Sequence, residues 1–116
     1  MVAKGTQWLT AINLGLVAAQ PISAGFLLSG YNYGSTIHAV VAVALQLGVF
    51  VQGVTAVVLW LRHRASGKAA GLSVALFAIA LLEVWAGRHR EYWLHVPVGV
   101  GLVVWLRARI SSLDAP

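Results

Sequence analysis

The chain has 116 residues, of which 59% are hydrophobic and 9% charged, far below the roughly 25% charge of a soluble domain. With no cysteine, it has no disulfide, no thiolate metal ligand and no covalent haem attachment through a C-x-x-C-H motif. The net charge of +5 comes from basic residues that flank apolar runs, a pattern of membrane orientation signals rather than of a nucleic-acid surface.

The predicted elements are four helices. Between Gly5 and Leu61 there is no Asp, Glu, Lys or Arg. One crossing needs about 20 apolar residues, so this run must fold back on itself. Helix 1 is predicted over about 7–28. "MVAKG" and "VAAQPISAG" share features with a secretion signal, but the segment is read as a retained membrane helix. Pro21 should kink it and free a carbonyl. Asn13 and Gln20, seven apart, share a face. "SGYNYGST" is a turn by composition, and helix 2 follows over about 36–61, with His38 in its first turn and Gln52 near the same face. The basic stretch "RHRASGK" separates it from helix 3, about 69–87. "RHRE" then leads into helix 4, about 93–109, with His95 in its first turn. Asn13, Gln20 and Gln52 are expected inside the bundle, hydrogen-bonding between helices. Gly25 with Ser29, and Ala44 with Gly48, are small-xxx-small spacings expected at helix contacts.

The whole chain is one domain: an all-α, integral membrane, four-helix up-down-up-down bundle, since short loops make neighbouring helices antiparallel. Lys4, Arg62, Arg64, Lys68, Arg107 and Arg109 fall at one end, Arg88 and Arg90 at the other. Six against two places both termini on the cytoplasmic side of a bacterial cytoplasmic membrane. Trp8, Trp60 and Trp105 should line that side, and Tyr31, Tyr33, Trp85, Tyr92 and Trp93 the outer one.

The four histidines separate by depth. His38 and His95 open helices 2 and 4 just inside the outer interface, on diagonal helices of such a bundle. Two imidazoles facing inward there are suited to axial ligation of a haem iron. An imidazole at this depth also serves as an interhelical hydrogen-bonding group, and from sequence that alternative stays open. His63 and His89 each lie between two arginines at opposite ends and are expected to be solvated. Arg88 and Arg90 are candidates to hold the haem propionates. Gly99, one turn beyond His95, should leave space beside the ligand, and Pro97 should fall where N–H groups lack a helical acceptor. Glu83, the one acid within an apolar run, is expected to pair with Arg88.

The segments "AQPISAGFLLSG", "IHAVVAVALQ" and "LHVPVGVGLV" resemble small four-helix membrane proteins of actinobacteria. More distantly, they are similar to one half of the heme A synthase family. The resemblance spans nearly the whole chain. It implies a four-helix fold in which His38 and His95 match the family's paired haem-binding histidines. Where that family has a glutamate three residues before the first histidine and an arginine after it, this chain has Ser35 and Ala39. The resemblance therefore implies haem ligation and not the synthase reaction.

The expected function is that of a membrane cytochrome, carrying haem b on His38 and His95 near the outer face. Its role would be electron transfer or haem handling, with no enzyme activity favoured. A quinone or a redox partner protein would exchange electrons with it, lipid would surround it, and a homo-oligomer is compatible with the pattern. The competing readings are a small transporter, disfavoured by the absence of an acid in helix 1, and an accessory subunit without cofactor.

Overall fold

The computed structural model describes the backbone over residues 4–113 and the side chains over 6–105. The side chains of Lys4, Arg107 and Arg109, which entered the orientation count, lie outside the described ones. Four helices follow one another: α1 Lys4–Leu28, α2 Gly34–Leu61, α3 Gly67–Arg88 and α4 Tyr92–Leu113. No strand occurs among the described residues. The chain is an all-α four-helix bundle.

Each connection is shorter than its turn composition suggests, because α2, α3 and α4 start one or two residues early. Ser66 caps α3 by accepting from the Ala69 N–H at 3.1 Å. The Glu91 carbonyl accepts from Leu94 and His95 as α4 begins.

The three turns share one construction. After α1, Gly30 N–H bonds Leu27 O and Tyr31 N–H bonds Phe26 O. After α2, His63 bonds Trp60 O and Arg64 bonds Leu59 O. After α3, Arg90 bonds Gly87 O and Glu91 bonds Ala86 O. All three are Schellman caps, which place one residue in the left-handed region. Gly30 takes it at φ 75°, where glycine has no penalty, but His63 and Arg90 take it at 55° and 59°. The two "RHR" tripeptides therefore sit one residue out of register. The middle residue is left-handed in the first and the last residue in the second.

The helices pack in a ring. α1 lies against α2, α2 against α3, α3 against α4, and α4 more sparsely against α1. Among the described residues no backbone approach links α1 with α3 or α2 with α4, so His38 and His95 do stand on diagonal helices. The core is small. Val17, Leu45, Val49, Leu76, Ala80 and Leu102 are buried, with every helix contributing. Large apolar side chains point outward along whole helix faces, such as Val40, Val43, Leu47, Val51 and Val54 on α2. In water such surface would be untenable; in lipid it is the ordinary outer face. Thr6–Leu28, Gly34–Leu61 and Gly67–Arg88 are each long and apolar enough to cross a membrane, and Tyr92–Trp105 adds a shorter apolar stretch. The long dimension is 48 Å, matching a bilayer of about 40–45 Å with its headgroups.

Close approach between helices is supplied by glycine, though only in part where small-residue spacing suggests. Gly34 marks the closest approach to a neighbouring backbone. A Cβ there would lie 2.6 Å from the Leu27 backbone, so only glycine lets α2 start so near α1. Gly48 lies directly against the Asn13 side chain, and a Cβ there would collide with Asn13 Oδ1. Gly25 and Ser29, by contrast, are exposed, and a Cβ at Gly25 would meet nothing within 4 Å. That pair faces away from the bundle.

Two proline expectations are answered differently. α1 continues through Pro21, which is exposed. Pro97 is the sixth residue of α4, not part of its first turn. Position 97 would ordinarily bond the Trp93 carbonyl, and a proline cannot. The unpaired-N–H explanation therefore fails for it.

Candidate functional site

A polar layer crosses the bundle about one turn from the end that holds the α1–α2 and α3–α4 turns. Each helix contributes one residue: Ser23, His38, Glu83 and His95. The two imidazole centroids are 6.2 Å apart with their planes at 90°.

His95 is held from α3. Its Nδ1 lies 2.8 Å from Glu83 Oε2 and 3.1 Å from the Glu83 backbone carbonyl. Both partners accept, so Nδ1 carries the hydrogen. The ring is seated against Gly87, where a Cβ would lie 3.1–3.4 Å from three of its atoms. The arrangement is reciprocal. Glu83 and Gly87 are i and i+4 on α3, and so are His95 and Gly99 on α4, hence each pair shares a face. Because the helices are antiparallel, His95 meets Gly87 while Glu83 meets Gly99, whose Cβ would lie 3.5 Å from Oε2. Gly99 therefore borders the site through the carboxylate.

His38 is held from α1. Its Nδ1 lies 2.9 Å from Ser23 Oγ, and that hydroxyl donates to the Gln20 carbonyl at 2.8 Å. With the hydroxyl proton so committed, Oγ accepts from Nδ1–H. In this arrangement both rings carry hydrogen on Nδ1 and present a bare Nε2. Neither Nε2 makes a hydrogen bond among the described residues. This is the habit of ligating histidines, whose second nitrogen donates to a carboxylate, carbonyl or other fixed acceptor.

Haem can be tested against these residues. A metal–imidazole bond is about 2 Å and a ring centroid lies about 1 Å behind its nitrogen, so rings ligating one ion from opposite sides stand about 6 Å apart. The observed separation is of that size. The helices flanking the pair, α1 and α3, make no close backbone approach among the described residues. Glu83 Oε1 is buried without a partner, a cost that a ligand or ion at this layer could offset. The donor set fits an iron with two axial imidazoles. Among the described residues no group of three His, Cys, Asp or Glu side chains gathers as for a metal held by protein alone.

Other sequence expectations resolve here. Glu83 does not pair with Arg88. It turns inward to His95, leaving Arg88 and Arg90 exposed, with neither guanidinium in an ion pair among the described residues. His89 stacks on Trp85 at 4.8 Å and its Nδ1 meets the Trp85 carbonyl at 2.8 Å; His63 is exposed in its turn. Neither joins the layer. Asn13 is fully buried and donates to Gln52 Oε1 at 2.7 Å, an interhelical bond of the kind expected among Asn13, Gln20 and Gln52. Gln46 was not singled out by sequence, yet both its amide atoms are buried without partners. Ser23 was missed as well, although it stands as far from the α1–α2 turn as His38 does. The signal for Glu83 was its G-x-x-x spacing, E-x-x-x-G facing H-x-x-x-G.

No protein-family model matches the chain, and no curated protein or solved structure matches it either.

Proposed function

We propose that the protein is a b-type haem protein of a bacterial cytoplasmic membrane, with His38 and His95 as axial ligands near the outer face, serving electron transfer or haem handling. One observation carries this reading. Two imidazoles from diagonal helices stand 6.2 Å apart, each steadied through Nδ1 and each with Nε2 uncommitted. The resemblance to one half of the heme A synthase family points the same way.

The residues divide the work. Glu83 and Ser23 set the direction and the tautomer of the two rings. Arg88 and Arg90, exposed at the same end, offer charge-assisted hydrogen bonds to propionates. Gly87 and Gly99 keep the α3–α4 face thin beside the ligands. The apolar helix faces exclude water from the layer. Bound there, haem supplies a reversible one-electron couple. At this depth the electron's partner is a quinone or a redox protein at the outer face, because the layer lies near one end of the bundle. The transporter reading is weakened by the same geometry: Glu83, its one candidate acid, is engaged by His95.

Purified with haem, the protein should be red and show low-spin bis-histidine iron by optical and EPR spectroscopy. His38→Ala and His95→Ala should each abolish that signal, while His63→Ala and His89→Ala leave it. A wild-type spectrum in both site variants, or colourless wild-type protein after reconstitution, sinks the proposal. Orientation has its own test. A cysteine placed at Asn32 should label from outside intact cells and one at Ser66 should not; the reverse pattern would turn the site to the cytoplasm.

A further inference from the structure

We infer that the two ligands are unequal: His95 is the permanent one and His38 the exchangeable one, so that small neutral donors such as carbon monoxide or imidazole enter on the α1–α2 side. The inference rests on the bis-histidine haem reading and adds to it a ligand-binding position.

The inequality lies in what each Nδ1 touches. His95 Nδ1 faces a carboxylate oxygen at 2.8 Å and a backbone carbonyl at 3.1 Å. The backbone carbonyl can only accept, as does the carboxylate in its ionised form, so the hydrogen is held on Nδ1 and the lone pair on Nε2. A hydrogen bond to a carboxylate is roughly twice as strong as one between neutral groups, and it raises the basicity of the ligating nitrogen. Gly87 further fixes the ring, with no space to spare on that side.

His38 Nδ1 faces a hydroxyl, which both donates and accepts. While Ser23 gives its proton to the Gln20 carbonyl, His38 donates and its Nε2 is bare. When the hydroxyl turns to donate to Nδ1 instead, the ring hydrogen moves to Nε2, which then cannot ligate. Ligation by His38 is thus conditional on one torsion, and ligation by His95 is not. Among the described residues no glycine seats the His38 ring as Gly87 seats that of His95.

The test compares His38→Gln with His95→Gln in the full-length protein in detergent with haem. Glutamine keeps a hydrogen-bond donor for Ser23 or Glu83, and helicity by circular dichroism controls for folding. Both variants should lose the low-spin signal. His38→Gln should retain haem as a high-spin species, bind carbon monoxide when reduced, and regain low-spin iron with added imidazole. His95→Gln should bind haem at least tenfold more weakly. The wild-type background gives a second reading that needs neither histidine variant. Glu83→Gln should weaken haem binding by about 10–100-fold and shift the CO stretching band of the reduced adduct, while Ser23→Ala leaves that band in place. Equal haem loss in the two Gln variants, the opposite order, or a band that follows Ser23 instead of Glu83 overturns the inference and leaves bis-histidine ligation standing. Wild-type protein that takes up no haem, or a low-spin signal that survives both Gln variants, overturns the underlying reading itself.

Discussion

Two polar layers lie inside this bundle, and they are built on different principles. The deeper one joins Asn13 to Gln52 by one amide hydrogen bond between neighbouring helices. The other lies some fourteen residues along α2 from Gln52 to His38, about 21 Å at 1.5 Å per residue. It takes one side chain from each of four helices and includes three ionisable groups. The deeper pair is sealed against Gly48 with no exposure of Asn13, and it leaves Asn13 Oδ1 buried without a hydrogen-bond partner. The upper layer leaves both Nε2 nitrogens without a hydrogen bond among the described residues and Glu83 Oε1 buried without a partner. The layers differ in kind: the spare group of the deeper pair is a neutral amide oxygen, whereas the upper layer's belong to titratable side chains.

That contrast can be broken most forcefully at His95. In protein without haem, His95→Leu strands a buried carboxylate on α3. Losing one partner of a buried pair costs about 3 kcal/mol, whereas replacing both by apolar residues is often near neutral. Glu83→Leu combined with His95→Leu should therefore recover most of the stability lost by His95→Leu alone, measured by unfolding in mixed detergent micelles. If the double variant is no better than the single one, the Glu83–His95 pair is not what the upper layer depends on.

The deeper layer predicts a smaller number. A double-mutant cycle with Asn13→Ala and Gln52→Ala should give a coupling of about 1 kcal/mol, the size of interhelical hydrogen bonds within membranes. The haem spectrum should be unmoved by either change. Loss of haem in these variants would show that the two layers are one device.

The smallest effect separates the two ends. His63 holds a left-handed conformation that costs an L-residue about 1–2 kcal/mol, and His63→Gly relieves it while adding about 0.4–1 kcal/mol of unfolded-state freedom. The net should be a gain of about 0.5 kcal/mol with haem binding unchanged. A loss of stability would assign the His63 side chain a contact role at the α2–α3 turn.

Much of this was open to reading in the residues themselves. An uncharged run from Gly5 to Leu61 must be folded helix in a bilayer, and "SGYNYGST", "RHRASGK" and "RHRE" had to be its breaks and those that follow. The exposed faces of α2, and of Trp8, Tyr31, Tyr33, Tyr92 and Trp93 toward the ends, follow from the same reasoning. Placing His38 and His95 at one depth needed only the distance of each from its helix start. Pairing Glu83 with Arg88 went wrong for a reason also present in the sequence. At 3.6 residues per turn, positions five apart lie about 140° around the helix, on nearly opposite sides. Glu83 shares its face with Gly87 instead.

What the sequence alone determined is therefore periodic or additive: hydrophobic length, the order of helices, the turn residues and the depth of each polar group. What only the tertiary structure decided is rotational. Whether Ser23 turns to His38, whether Glu83 turns to His95, and whether Gly25 or Gly48 meets a neighbour depend on the angle of each helix about its own axis. These helices are apolar all round, so their sequence carries no stripe to fix that angle. It is set by a few close contacts across the bundle, Gly34 on Leu27, Gly48 on Asn13 and Gly87 on His95, which exist only once the helices have met.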